Sequence, residues 1–190
     1  MKRQFLIGAI ALTVIGGVFA LSEAQNRVVG RPSPQRVMIT REAVAIIFPT
    51  NDSKVSGKVR FTQDGSRVIV VAEISGLEPN SEHGFHIHEF GDMSAGNGTS
   101  MGGHYNPRET EHALPVKEVR HAGDLGNIKA GPDGVARLER SFSGFSVSSL
   151  RGNILGRGVV IHALKDDGGQ PTGNAGARIG YGVIGIAKTE

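Results

Sequence analysis

The chain has 190 residues, 38% of them hydrophobic and 21% charged, which suits one folded domain with a sizeable core and excludes global disorder. A formal net charge of +3 with no basic stripe gives no case for a nucleic-acid partner, and the absence of cysteine excludes disulfides, thiolate metal sites and cysteine nucleophiles. Twenty-eight glycines against 5% aromatic residues favour tight turns and short strands.

Residues 1–24 read as an export signal. Lys2 and Arg3 supply the positive start, Phe5 to Leu21 is an apolar run, and Ser22-Glu23-Ala24 puts small residues before a cut at Gln25. An anchor that stays uncleaved is the competing reading, since the run is borderline for a membrane span. With cleavage, the expectation is a secreted protein, extracellular or periplasmic, with no stable membrane association. Residues 25–42 contain Gly30, Pro32 and Pro34 and read as a flexible leader to a single domain over 43–190.

Strands are expected at 43–48, 55–62 and 67–74, with Gln63-Asp64-Gly65 as a hairpin signal between the last two. A further strand spans 83–90. Residues 91–130 then lose any sustained period and read as one long functional insert, rich in glycine and histidine. Regularity resumes at 135–142, 158–164 and 178–187, with a second glycine-rich loop over 165–177. No stretch carries a convincing helical period. The pattern predicts an all-β fold, an antiparallel sandwich or barrel.

Seven histidines stand out against this background. His86 and His88 are two apart on a strand, so both imidazoles face the same side. His104, His112, His121 and Asp124 follow in the insert, at intervals of eight, nine and three. His162 sits inside the apolar run Val159-Val160-Ile161-His162, where it must meet a buried partner or a site. His83 is out of phase with His86 and reads as structural. Taken alone, Asp124 reads as a turn residue. Four nitrogen donors suit tetragonal copper, and three nitrogens with one carboxylate suit tetrahedral zinc. Composition leaves open whether one imidazole serves two metals.

Four segments together resemble the copper/zinc superoxide dismutase family. They are Gly84-Phe-His-Ile-His-Glu-Phe-Gly-Asp92, Gly103-His-Tyr-Asn-Pro107, His121-Ala-Gly-Asp-Leu-Gly-Asn127, and Gly173-Asn-Ala-Gly-Ala-Arg-Ile179 followed by Gly182-Val-Ile-Gly-Ile186. The resemblance runs from about Ala43 to Lys188. It implies an eight-stranded antiparallel Greek-key β-barrel with two long functional loops. It also implies copper at His86, His88, His104 and His162, and zinc at His104, His112, His121 and Asp124, with His104 shared. Asp166 would link a copper ligand to a zinc ligand, and Arg178 would attract and orient superoxide. The implied reaction is disproportionation of superoxide to dioxygen and hydrogen peroxide, an antioxidant activity. Copper would be the redox metal, zinc the structural one, and His104 the proton carrier. A homodimer through the barrel is a further expectation. The competing reading is a non-enzymatic copper-binding or copper-delivery module on the same fold. The sequence departs from the family where a disulfide normally ties the loop to the last strand: Asn97-Gly98 and Tyr181 occupy those positions. The expectation is that Tyr181 fills part of the vacated space.

Overall fold

The computed structural model describes residues 40–188, so the expected export signal and most of the leader lie outside the described residues. Nine strands form one antiparallel sheet: β1 (Glu42–Pro49), β2 (Ser56–Asp64), β3 (Arg67–Ser75), β4 (Glu82–His88), β5 (Asp124–Lys129), β6 (Ala136–Phe142), β7 (Gly158–His162), β8 (Arg178–Val183) and the two-residue β9 (Gly185–Ile186). The spatial order is β5-β4-β7-β8-β1-β2-β3-β6, with β9 continuing β8 alongside β1. A bridge between Ala130 and Ala136 joins the two ends at β5 and β6, so the sheet is a nearly closed barrel. The β3–β4 connection passes the positions of β6 and β5, and the β6–β7 connection passes β5 and β4. These are Greek-key crossings. The expected fold is the one found.

Alternation accounts for most of the barrel. In β3, Val68, Val70, Ala72 and Ile74 are buried, while Arg67, Val71 and Glu73 face outward. The β2–β3 hairpin turns where expected, with Asp64 opposite Arg67 and Gly65 in the left-handed region at φ 55°. β4 and β7 break the rule, because both are buried on both faces. Phe85, Ile87, Val159 and Ile161 belong to the barrel core, which leaves His86, His88 and His162 on the outside of the cylinder. That outer face is covered by the chain between β4 and β5, where Met101 packs on Val160 and Tyr181 in a second small apolar cluster.

One expectation is corrected. Residues 124–129 were expected inside a long insert without regular structure, yet they form β5, paired with β4 from Glu82–Lys129 to His86–Asp124. Its burial runs buried, buried, buried, intermediate, buried, exposed, because Leu125 and Ile128 face the core while Asp124 faces the covered histidines. A strand with both faces covered shows no period of two. Asp124, expected as a turn residue, is therefore the first residue of a strand and is fully buried.

Candidate metal centre

β4 sets the frame by projecting His86 and His88 outward, and the covering loop brings His104 to them through backbone pairing. Tyr105 N donates to Ile87 O at 2.8 Å, Glu89 N to Gly103 O at 3.0 Å, and Phe90 N to Met101 O at 3.0 Å. His104 is itself in a bridge with His88. β7 delivers His162 from the neighbouring strand position, and β5 delivers Asp124 opposite His86. Two groups of four potential ligands result. His86, His88, His104 and His162 form one, and His104, His112, His121 and Asp124 the other. Within each group one donor atom per residue lies within 4.8 Å of all the others, and every member is buried. Each of the seven expected ligand residues falls in its expected group, and His104 belongs to both.

Hydrogen bonds fix which ring nitrogen of each imidazole faces the group. His86 engages Asp166 Oδ2 through Nε2 at 2.9 Å, which leaves Nδ1 free. His88 and His162 spend Nδ1 on the carbonyls of Gly102 and Gly176, at 3.0 and 3.1 Å, and their Nε2 atoms face each other at 3.4 Å. His104 turns Nδ1 to Asp124 Oδ1 at 2.8 Å and leaves Nε2 toward the first group. An imidazole with one nitrogen on each side is the geometry that sharing between two ions requires.

The donor set fits two ions. Among the described residues, the buried side-chain nitrogens without a hydrogen-bond partner are His86 Nδ1, His104 Nε2, His112 Nδ1 and His121 Nδ1. Buried orphan donors or acceptors are rare and costly, so four of them converging on two points call for a ligand. His112 Nδ1 and His121 Nδ1 sit 3.0 and 3.2 Å from the Asp124 carboxylate without hydrogen-bond geometry, as donors arranged around a common centre would.

The electrostatics keep His86, His88 and His162 of the first group neutral and ready to donate. Burial pushes the His86 imidazole down to about 4, against the opposing pull of Asp166. Burial and then the nearby His86 push His162 down to about 3. Burial and then His104 hold His88 well below the ordinary range. His112 goes the other way: against the cost of burial, the adjacent Asp124 carboxylate and the hydrogen bond to Asp166 raise it to about 9. Burial opposes ionisation of Asp124 and Asp166, but hydrogen bonds from histidines outweigh it and hold both below the usual carboxylate range.

Asp166 lies between the groups. Its Oδ2 meets His86 Nε2 at 2.9 Å and its Oδ1 meets His112 Nε2 at 3.0 Å. The clasp around it is tight: a Cβ on Gly173 (φ 80°) would collide with Asp166 Oδ1 and His112 Nε2. Two residues with no role assigned from sequence hold this clasp. Asn127 exchanges hydrogen bonds with the Asp166 backbone in both directions, each 2.8 Å. Gln170 does the same for the His112 backbone, at 2.7 and 3.2 Å. Asn127 stands inside the motif quoted for the resemblance, which was the available signal; Gln170 had none.

Arg178 opens β8 opposite His162 and is half-buried. Its guanidinium donates to the carbonyls of Gly98 and Gly102, the latter at 2.6 Å. Gly102 O is the same atom that His88 Nδ1 engages, so the arginine and the first histidine group share one anchor. His83 lies apart, bonded to Ser81 Oγ and to His162 O at 2.6 and 2.8 Å, in the structural role expected of it.

A family model described as copper/zinc superoxide dismutase matches residues 55–184. The chain is 47% identical over 155 residues to a Cu-Zn superoxide dismutase of Paramecium bursaria Chlorella virus 1, covering 77% of this chain and 79% of that protein. It is 44% identical over 146 residues to an extracellular Cu-Zn superoxide dismutase of Drosophila melanogaster, covering 72% and 79%. It is 46% identical over 158 residues to the Cu-Zn superoxide dismutase of Saccharomyces cerevisiae, covering 77% and 99%. Among solved structures, that of the clock protein EA4 superposes with a TM-score of 0.71 at 38% identity, over 78% of this chain and 96% of that one. Likeness of this degree, spread along the barrel and through both ligand groups, makes the chain a member of the copper/zinc superoxide dismutase family.

Proposed function

We propose that His86, His88, His104 and His162 hold copper, that His104, His112, His121 and Asp124 hold zinc, and that Arg178 and His104 serve the reaction directly. The protein is a superoxide dismutase that uses copper and zinc and contributes to antioxidant defence. Bound copper supplies a one-electron couple and zinc a fixed charge without redox chemistry. In the overall reaction, two superoxide anions and two protons become dioxygen and hydrogen peroxide. One superoxide loses an electron and the other gains it.

The residues of the chain supply the rest. Arg178, held on Gly98 O and Gly102 O, sets a positive charge beside His88 and His162, where it draws in and orients an anion. His104 has Nδ1 fixed toward Asp124, so Nε2 is the atom that can carry a proton to the departing peroxide. Asp166 fixes the rings of His86 and His112 at once. The carrying observation is that two four-ligand groups share His104. Metal analysis of three variants tests it. His104→Ala should lower both copper and zinc, His88→Ala copper first, and His121→Ala zinc first. Loss of only one metal in His104→Ala would refute the shared assignment.

The likeness to an extracellular relative in Drosophila supports secretion after removal of residues 1–24, with a leader preceding the domain. N-terminal sequencing of the protein recovered from the medium or periplasm should begin at Gln25. Ile46 and Phe48 on the outer face of β1 and Ile186 on the adjoining β9 are exposed and apolar, which supports a homodimer through this face. Sedimentation should give a dimer that Phe48→Glu converts to a monomer.

A further inference from the structure

On the outer side of the second ligand group, whose His121 lines the middle cleft, three adjoining clefts of about 370, 150 and 710 Å³ run along the barrel. The first and second share Glu118, Arg120 and Ser143, and the second and third share Arg108 and Gly144, so they form one continuous groove. Its walls carry six cations: Arg67, Arg140, Lys117, Arg120, Arg108 and Arg151. The one carboxylate among the lining residues is Glu118.

This concentration is not a by-product of a basic surface. Of the 21 Lys and Arg and 18 Asp and Glu, five cations (Lys2, Arg3, Arg27, Arg31, Arg36) and two acids (Glu23, Glu190) lie outside residues 40–188. The described body therefore carries sixteen of each sign and is formally neutral. Elsewhere on it, some exposed cations have carboxylate partners, as in Arg60–Glu42, Arg137–Asp133 and Lys165–Glu82, while others such as Lys58 and Lys129 stand singly. Among the described residues, none of the six groove cations has a carboxylate within ion-pair distance.

Two of the six are held rigidly. Arg67 donates to Ser141 Oγ at 2.7 Å and to Ser141 O at 2.8 Å. Arg120 donates to Lys117 O at 3.0 Å and to Asp124 O at 3.3 Å. Like charges pinned in one cleft, with no carboxylate within ion-pair distance of either, favour a bound anion.

We propose that this groove binds a linear anionic polysaccharide, with sulfate or carboxylate groups paired to the arginines in succession. The walls decide against a single-stranded nucleic acid. Single-stranded nucleic acids need open aromatic faces for stacking. The two aromatic rings at the wide end, Tyr105 and Phe145, are 5% and 4% exposed, and Arg157 already covers the Tyr105 ring at 3.6 Å. Hydroxyls of Ser66, Ser143 and Ser146 line the groove instead, suited to the hydroxyls of a sugar chain.

The test uses the full-length, metal-loaded protein and fluorescein-labelled dextran sulfate, read by anisotropy at low salt. The double variant Arg140→Glu/Arg151→Glu should bind about tenfold more weakly or worse, with affinity falling as salt rises. Lys58→Glu/Lys129→Glu, an equal charge change on exposed residues outside the groove, should lose about twofold or less. Melting temperature and metal content check that each variant is folded. If the first variant is not, Arg108→Ser/Lys117→Ser replaces it on the same criterion. Equal losses in groove and control variants would overturn the site. So would neutral dextran binding as well as dextran sulfate, or no binding at all. An oligodeoxynucleotide of matched charge that binds more tightly than dextran sulfate would overturn the polysaccharide assignment.

Discussion

Asp166 carries more of the metal centre than its single carboxylate suggests, because its two oxygens engage the far nitrogens of one imidazole from each ligand group. An asparagine has one acceptor oxygen, so it can satisfy only one of those two N–H groups. Asp166→Asn should therefore weaken the binding of both metals, by about 10–100-fold for the one whose ring loses its acceptor. Competition with a chelator measures this, and unchanged affinity for both ions would remove Asp166 from the role. The role proposed for Arg178 is one of charge and place rather than of holding a ligand. Arg178→Ala should keep both metals, lower the catalytic rate at low salt by about tenfold, and flatten its salt dependence. A salt profile parallel to that of the unaltered protein would argue against steering.

At the level of elements, β4, β7 and the covering loop show what the sequence could and could not disclose. The His-X-His pattern of β4 reveals which two side chains share a face, because alternation is a local property. The loop histidines stood out as candidate ligands by their number, but their division into two groups was legible only through motif resemblance. Nothing local says that His104 returns to pair beside His88. β5 was missed because Asp124 and Leu125 are both buried, on opposite faces, which erases the period of two. Gln170 was invisible because its partner, the His112 backbone, is 58 residues away.

The loop has no covalent tie to the barrel, and what replaces it is now specific. Gly98 lies against the Tyr181 ring, where a Cβ would sit 3.6 Å from ring carbons, and Met101 and Val160 complete the contact. Asn51 N adds a hydrogen bond to Gly96 O at 3.1 Å. A buried aromatic lost to alanine costs about 3–5 kcal/mol, against about 2–4 kcal/mol for a typical disulfide. The apolar contact is thus of the right size to substitute. Tyr181→Ala should lower the melting temperature and also slow catalysis, since the displaced segment carries Gly98 O and Gly102 O, the anchors of Arg178. Stability lost with the catalytic rate unchanged would mean that Tyr181 only packs.

For the molecule as a whole, the same logic makes zinc a structural partner of the barrel. Among the described residues, two of the buried nitrogens without a partner, His112 Nδ1 and His121 Nδ1, converge on Asp124 without bonding to it. A ligand present at a thousand times its dissociation constant stabilises by about 4 kcal/mol, or on the order of 10 °C for a domain of this size. Selective zinc removal should lower the melting temperature by about that much and should loosen the loop. Faster hydrogen exchange at residues 91–123 would show the loosening. A melting temperature that does not move would mean that packing alone holds the loop.

The missing thiols have a consequence for the durability of the catalyst. A dismutase makes peroxide beside its own side chains. Thiols in such a place climb through sulfenic and sulfinic acids, and the upper steps are irreversible. This chain has no cysteine to lose in that way, and of its four methionines, the one that wedges the loop onto the barrel, Met101, is fully enclosed. The contact that does the work of a disulfide is thereby shielded from the oxidant that the reaction releases.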